Sequence, residues 1–560
     1  MVGQKKVFLR EATGLVREMK WYDALFLNFL NMSIGLGAAW VIFFGPGLYP
    51  SANVTLGLVV CAVGCLFGMA CFALLTTAMP RSGGDYVFVS RCLHPSLGFA
   101  SNWMWVIWNV VWCGVLGTWV VTWGLRDLFG TLGVVYNNSS YLAWASELSA
   151  PDNPITFTLT ASVVILTAVM LTMGFKTYLR VQAACAIIGM AMLIIAVAIF
   201  ATTSNDEFQQ IWDNYAAQQN AATYDETVAD AANVVPWYYD WSPTMQTLGI
   251  LPIGFWVLAY PYFSAFLGGE LKRPKSTAPV GNMGAVVIGA GFIIGLWLMA
   301  SHTLSQEFIV GTYGQLYDYT GWAGGGNQYM MPSQWFDFQA GIISGNPIVI
   351  YLIGLGMIGW LLMYPALAFL GQTRSTLAWS MDRVVPKWFG KVSDRWHTPV
   401  NAIIFFLIIN LVYLAIYAKT FRYQTSFTAV AGQLISTFLL VGLSAIVLPF
   451  RKRTRRIYLE SGIDKEVLGI PIITICGVVW VGFLLVIMYF FFLDPNLGAI
   501  DYWSEFEWSK VKIGKVLYGL SIWLTIGFFL SGFLLWWVAR WHRKRHGIDI
   551  DLAYKELPPE

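Results

Sequence analysis

Across 560 residues the chain is 57% apolar and only 12% charged, about half the charged share (roughly 25%) of a soluble domain. No Asp, Glu, Lys or Arg occurs from Ala24 to Pro80 or from Cys92 to Leu125, which excludes a water-soluble core and implies a chain that crosses a bilayer repeatedly. The net charge of +3 is small and its basic clusters sit at the ends of apolar runs, so no nucleic-acid partner is expected.

Residues 1–22 are charged and lack the short apolar core of a cleavable signal. They read as a cytoplasmic segment, with the first span as an uncleaved insertion signal. Charge-free runs without strand-like alternation follow at 24–48, 54–79, 97–124, 154–174, 179–202, 246–268, 280–304, 346–370, 399–418, 426–450, 468–493 and 516–539. Each can hold about 20 residues of membrane-crossing helix. The fold class expected is therefore an all-α polytopic membrane protein of about twelve transmembrane helices. A first five-helix unit would occupy 23–202, an outer loop 203–245 and a second five-helix unit 246–450. Helices eleven and twelve would lie in 451–541, ahead of a cytoplasmic tail, 542–560.

With the N-terminus inside, inner segments hold 28 Lys and Arg and outer segments 6, against 17 outer Asp and Glu. The excess of inner Lys and Arg sets the orientation, both termini cytoplasmic, in a cell membrane. The basic inner patches suit anionic lipid headgroups. The sequons at Asn53, Asn137 and Asn138 fall outside; the one at Asn31 falls within a span. Gly324-Gly325-Gly326 in an outer loop lacks the strand, helix start and lysine of a phosphate cradle. The seven cysteines lie in or beside apolar runs, with no histidine at metal-ligand spacing, and read as packing residues. His302 reads as packed or interfacial.

Ionisable groups deep in the spans are almost lacking, which argues against a carboxylate proton relay or a voltage sensor. No acid pair or Ser/His/Asp arrangement suggests an enzyme, and no cofactor or metal is expected. Helix interruptions remain. In the first span Asn28, Asn31 and Ser33 lead into Gly35-Leu36-Gly37-Ala38-Ala39, where a glycine pair lets a helix break. In the sixth, Leu258-Ala259-Tyr260-Pro261-Tyr262 places a proline at mid-membrane. Broken helices at corresponding places in two halves point to a transporter of inverted repeats, with a carboxylate at a half-helix N-terminus and a cation at a half-helix C-terminus.

Pro80-Arg81-Ser82-Gly83-Gly84-Asp85-Tyr86, Ser90-Arg91 and His94-Pro95-Ser96-Leu97-Gly98-Phe99 resemble the inner-loop signature of the amino acid–polyamine–organocation superfamily of permeases. Glu270-Leu271-Lys272-Arg273-Pro274 is similar to its Glu-x-x-x-Pro. Arg374, Met381-Asp382-Arg383, Pro386, Phe389 and Thr398-Pro399 follow its next inner-loop pattern. The resemblance implies a five-plus-five inverted repeat with two extra helices and an amino acid or amine held at broken helices one and six. It assigns the substrate carboxylate to the amides of Ser33, Ile34, Gly35, Leu36, Gly37 and Ala38. The ammonium goes to carbonyls around Trp256, Leu258, Ala259 and Tyr260, with Trp256, Tyr260 and Tyr262 as aromatic walls. A second register, through Ile42-Phe43-Phe44-Gly45-Pro46-Gly47, would move the contacts to Ala39, Trp40 and Val41; the first keeps the glycine pair at mid-membrane.

Asp85 and Glu270 stand among Arg81, Arg91, Lys272 and Arg374 at the inner helix ends. Glu270 is the one acid between Asp240 and Glu307, so Arg81, Asp85, Glu270 and Arg374 form the expected inner gate. The helix-five lysine of some proton-coupled relatives falls at Gly189, and the helix-eight hydroxyls of sodium-coupled ones have no counterpart in Tyr351 to Gly371. A proton is favoured over sodium as coupling ion. The alternatives are an amine-binding sensor, for which a tail of 15 residues after Arg545 is short, and an ion channel, whose filter would need rings of charge or carbonyls.

Overall fold

The structure, a computed structural model, describes residues 15–231, 241–317, 333, 335–420, 433–493 and 518–555. The first apolar run forms α1 (Trp21–Met32) and α2 (Ile34–Leu48), and the second α3 (Val54–Ala78). A short α4 (Asp85–Cys92) leads to α5 (Pro95–Trp119), which passes through a wide π-type turn, Val120–Leu125, into α6 (Arg126–Val135). There follow α7 (Ser139–Glu147), α8 (Pro154–Thr172), α9 (Phe175–Thr202), α10 (Asn205–Gln219), α11 (Tyr224–Ala231) and α12 (Pro243–Leu258). The second half contains α13 (Pro274–Pro279), α14 (Ala285–Leu304), α15 (Gln306–Tyr317), α16 (Phe336–Ser344), α17 (Pro347–Leu362), α18 (Tyr364–Met381) and α19 (Val400–Thr420). It closes with α20 (Leu440–Val447), α21 (Lys452–Glu460), α22 (Ile472–Leu493) and α23 (Tyr518–Arg545).

Among the described residues ten helices are long and apolar enough to cross a membrane, and two shorter apolar ones, Pro243–Leu258 and Ser436–Val447, stand where the sixth and tenth runs were expected. The starts are written locally. Pro95, Pro154, Pro243 and Pro347 each open a helix, where the missing N–H costs nothing. Asn153, Ser242 and Asn346 cap the next amides. The sequon asparagines Asn53 and Asn138 also accept capping hydrogen bonds, from Leu56 and from Ser140 and Tyr141.

Several boundaries differ from the sequence reading. The sixth run is helical only to Leu258, whereas the eighth continues past 370 to Met381. The third run extends to Val135, because one wide turn absorbs Trp123 and Gly124 without breaking the helix. The expected outer loops 203–245 and 305–345 contain α10, α11, α15 and α16. Of the tenth run, 426–450, only the part from Gln433 onward is described, and Gly324 to Gly326 lie outside the described residues.

The apolar stretch of Trp21–Leu48 is 94% buried and that of Pro95–Val135 83%, while Pro154–Thr172 and Val400–Lys419 bury a third. The first and third spans are therefore the centre of the bundle. The outer helices present Leu166, Ile187, Val287, Ile408 and Leu534 outward, as a lipid-facing surface requires. All seven cysteines are buried and free. His302 is exposed at the end of α14.

Candidate functional site: a cavity between two helix breaks

The first break falls at Ser33, which adopts a left-handed conformation (φ 47°, ψ 69°) between α1 and α2, a state costing a non-glycine residue about 1–2 kcal/mol. Gly37 N–H makes the first hydrogen bond of α2, to Ser33 O at 2.7 Å. The amides of Ile34, Gly35 and Leu36 thus form a first turn that has no partner in the preceding helix, and the positive end of the α2 dipole points into the protein. The second break follows Leu258. Pro261 has no N–H to bond back to Val257, so the chain runs irregularly to the tight turns Phe263–Phe266 and Gly268–Glu270.

Side chains satisfy the carbonyls freed there. Asn31 Nδ2 donates to Tyr260 O at 2.5 Å, and Asn282 Nδ2 donates to Pro261 O at 2.8 Å. Asn28 accepts from Ser264 N–H and donates to Ser264 Oγ, both at 3.0 Å, and that hydroxyl donates to Asn282 Oδ1. Asn28 and Asn31 thereby tie the first broken helix to the second, and Asn282 ties the second to the start of the following span. The glycine pair has a different function. A Cβ on Gly35 would stand 2.4 Å from the Trp360 indole, and one on Gly37 2.3 Å from Val257 Cγ1, so both glycines permit close packing just after the break.

Between the breaks lies a cavity with about 710 Å³ of empty space, its open mouth included. Trp40, Trp112, Trp119 and Trp256 form much of its wall. Trp40 stacks on Trp256 at 5.6 Å between ring centres, and Trp112 meets Trp256 edge-on at 5.5 Å. Asn31, Asn109 and Gln433 supply polar groups, with Gln433 Oε1 accepting from Tyr260 Oη at 2.7 Å. Among the described residues no Asp, Glu, Lys or Arg lines the cavity. From these residues a charge on a ligand would meet helix-end backbone, ring faces and neutral polar groups.

Of the residues singled out from the sequence, Leu36, Gly37, Trp256, Tyr260 and Tyr262 line this cavity. Ser33, Ile34, Gly35, Ala38, Leu258 and Ala259 form the backbone around the two breaks without lining it. In the alternative register Ala39, Trp40 and Val41 sit inside continuous helix, and only Trp40 reaches the cavity. Sequence reasoning missed Asn109, Trp112, Trp119, Tyr364 and Gln433. The four- and seven-residue spacing of Trp112, Trp119 and Trp123 is a helical-face signal that was available. On one side the cavity is closed by rings: Trp40 lies 4.1 Å from Phe44, Trp119 3.9 Å from Trp123, and Trp123 5.3 Å from Trp335.

On the opposite side, Glu270 and Arg374 form a buried two-point ion pair, Nε to Oε1 at 2.9 Å and Nη2 to Oε2 at 3.1 Å. Asp85 does not join them. It accepts from Asn102 Nδ2 at 2.7 Å and Ser101 Oγ at 3.3 Å, and burial pushes its carboxyl up to about 7 against the pull of those donors. Arg91 pairs instead with Asp382, whose carboxylate also accepts from Tyr86 Oη. Arg81 donates to Pro80 O, and Lys272 is exposed. Trp360 occupies the ground beside Gly189, donating from Nε1 to Gly189 O at 3.2 Å, so a longer side chain at 189 would collide with the indole.

An all-helical bundle with two interrupted spans around an aromatic, charge-free cavity defines a polytopic membrane protein of the amino acid–polyamine–organocation type. Residues 20–502 match the family described as Amino acid permease, and the chain belongs to that family. Branched-chain amino acid permease BcaP of Bacillus subtilis (strain 168) is 24% identical over 526 residues, spanning 90% of this chain and 93% of that protein. Members of a permease family move solutes and are not enzymes.

Proposed function

We infer that the protein moves neutral amino acids with apolar side chains across the cell membrane by alternating access. The reading rests on one observation: a tryptophan-walled cavity between the two helix breaks, at Ser33 and after Leu258, with no charged side chain among the described residues that line it. The substrate carboxylate docks at the start of α2, where Leu36 and Gly37 line the cavity and the partial positive charge of the helix end favours an anion. The ammonium docks near the carbonyls that end α12, around Trp256 to Tyr260, and its side chain lies against Trp40, Trp112 and Trp256. A lysine or glutamate side chain would bury a second charge without a counter-ion there, a cost of several kcal/mol. Glu270 and Arg374 lock the inner side, with Arg81 and Asp85 on the adjoining loop. Both termini are cytoplasmic, in keeping with 28 Lys and Arg on inner segments against 6 outside.

Purified protein in liposomes should take up labelled leucine, while lysine and glutamate compete at least about tenfold more weakly. Trp256→Ala should raise the leucine KM with the protein still inserted. Equal competition by lysine or glutamate would refute the charge-free site. Binding without uptake would identify a sensor, and unsaturable flux a channel.

A further inference from the structure

The end of the bundle that carries the basic clusters holds a second cavity, away from the helix breaks. α23, the loop before Pro95 and the start of α21 enclose about 780 Å³ of empty space there, the open mouth included. Arg451, Arg453 and Arg540 converge on it, with His94, Asp551 and Trp537. Arg540 is answered: Asp551 accepts from its Nε at 3.0–3.1 Å and from its Nη2 at 2.5 Å, and the guanidinium lies over the rings of Trp536 and Trp537. Among the described residues Arg451 and Arg453 are answered by carbonyls. Arg451 Nη1 donates to Cys92 O and Leu93 O, and Arg453 Nη2 donates to Tyr554 O. Among the described residues no carboxylate stands within ion-pair distance of either. Each guanidinium carries five N–H groups, more than these carbonyls accept. His94 accepts the Ser96 N–H at Nδ1, which leaves the proton of the neutral ring on Nε2 as a further donor. The mouth adjoins a lipid-like surface: Trp537 is 49% exposed, beside exposed Leu534, Val538 and Trp541, a pattern of residues at a membrane interface.

We propose that this cavity binds the phosphate group of an anionic ligand, with Arg451 and Arg453 supplying the charge and His94 a hydrogen bond. The source is either an anionic phospholipid headgroup or a soluble phosphate. The short turn Ile550–Lys555 also lines the cavity through Asp551 and Tyr554, and Tyr554 Oη meets Tyr86 Oη at 3.1 Å beside the Arg91–Asp382 pair.

The full chain, purified in detergent, is titrated with phosphatidylglycerol, phosphatidylcholine and inorganic phosphate, and retention is read by native mass spectrometry. Phosphatidylglycerol should be retained saturably and at least about tenfold more tightly than phosphatidylcholine, and Arg453→Gln should weaken it about tenfold, the value of one charge-assisted contact. Because Arg453 also holds Tyr554 O, a second variant guards against a folding defect. His94→Asp keeps a side chain able to cap the helix that starts at Pro95 and sets a carboxylate beside the arginines. It should weaken phosphatidylglycerol about tenfold with an unchanged melting temperature. Displacement of the lipid by millimolar inorganic phosphate assigns the site to a soluble phosphate; lipid retention without such competition assigns it to the headgroup. Equal retention of both lipids with no phosphate binding, or binding unchanged in both variants, overturns the proposal.

Discussion

Gly35 and Gly37 are small because of what they touch, and the break they were read as making lies at Ser33. A β-carbon at 37 would fall 2.3 Å from Val257, and the β-branched Val would add two more carbons in the same space. Overpacking of this kind costs about 1–3 kcal/mol and moves backbone, here the joint between the two broken helices. Gly37→Val should therefore abolish substrate binding while the protein still inserts and purifies as a monodisperse species. Normal binding by that variant would remove the α2 start from the site. Asp85 gives a different test. Its carboxyl is raised to about 7 by burial, so between about pH 4 and 7 the folded protein holds a proton that the unfolded chain has released. Stability must then fall as pH rises across that window. The melting temperature of the wild type should decline from pH 5 to 8, and Asp85→Asn should flatten the decline. An identical slope in the variant would mean that Asp85 is ionised throughout.

Among the elements, the interrupted helices carry the most consequence, and they were unevenly legible. Pro261 located the second break to within three residues because a missing N–H acts on its own turn. Ser33 left no comparable mark; its left-handed turn is held by the Asn31 contact with Tyr260 O, 229 positions along the chain. The charge-free run that marks the eighth span stops short of Gln372 and Arg374. Both are in fact buried and paired, with Asn410 and with Glu270, inside continuous α18. Polarity marks a boundary only where the partner is water. Tyr364 and Gln433 reach the cavity from segments whose place beside it no local pattern records. The Glu270–Arg374 pair joins the end of the second broken helix to α18, and removing one member of a buried pair costs about 3–5 kcal/mol. Glu270→Gln should thus favour the inward-open state and slow net transport, with substrate affinity kept within a few-fold. Labelling of an inner-vestibule cysteine by an impermeant thiol reagent from the cytoplasmic side should rise. Unchanged labelling with unchanged transport would make Glu270 a structural charge.

At the scale of the whole molecule, the pattern of charge-free runs gave the all-helical membrane class, since no soluble fold leaves such lengths uncharged. It overstated the sixth run, where composition continues beyond the helix. The same scale bears on energy coupling. The segment from Tyr351 to Gly371 has no hydroxyl apart from its tyrosines, and among the described residues no cluster of His, Cys, Asp or Glu could hold a metal ion. Uptake should therefore be unaltered when choline replaces sodium. Accumulation driven by a sodium gradient alone would show a cation site outside these side chains.

The Trp360 indole, wedged between Gly35 and Gly189, also constrains how such a protein can diverge. A lysine arriving first at 189 would meet a ring that already stands 2.6 Å from any β-carbon there. A small residue arriving first at 360 would leave a void worth about 3–5 kcal/mol, a large part of a typical total stability of about 5–15 kcal/mol. Each order of events passes through an impaired intermediate. Positions 189 and 360 should therefore change together or not at all, and lineages that kept the tryptophan would find it hard to acquire a charge at that place by single steps.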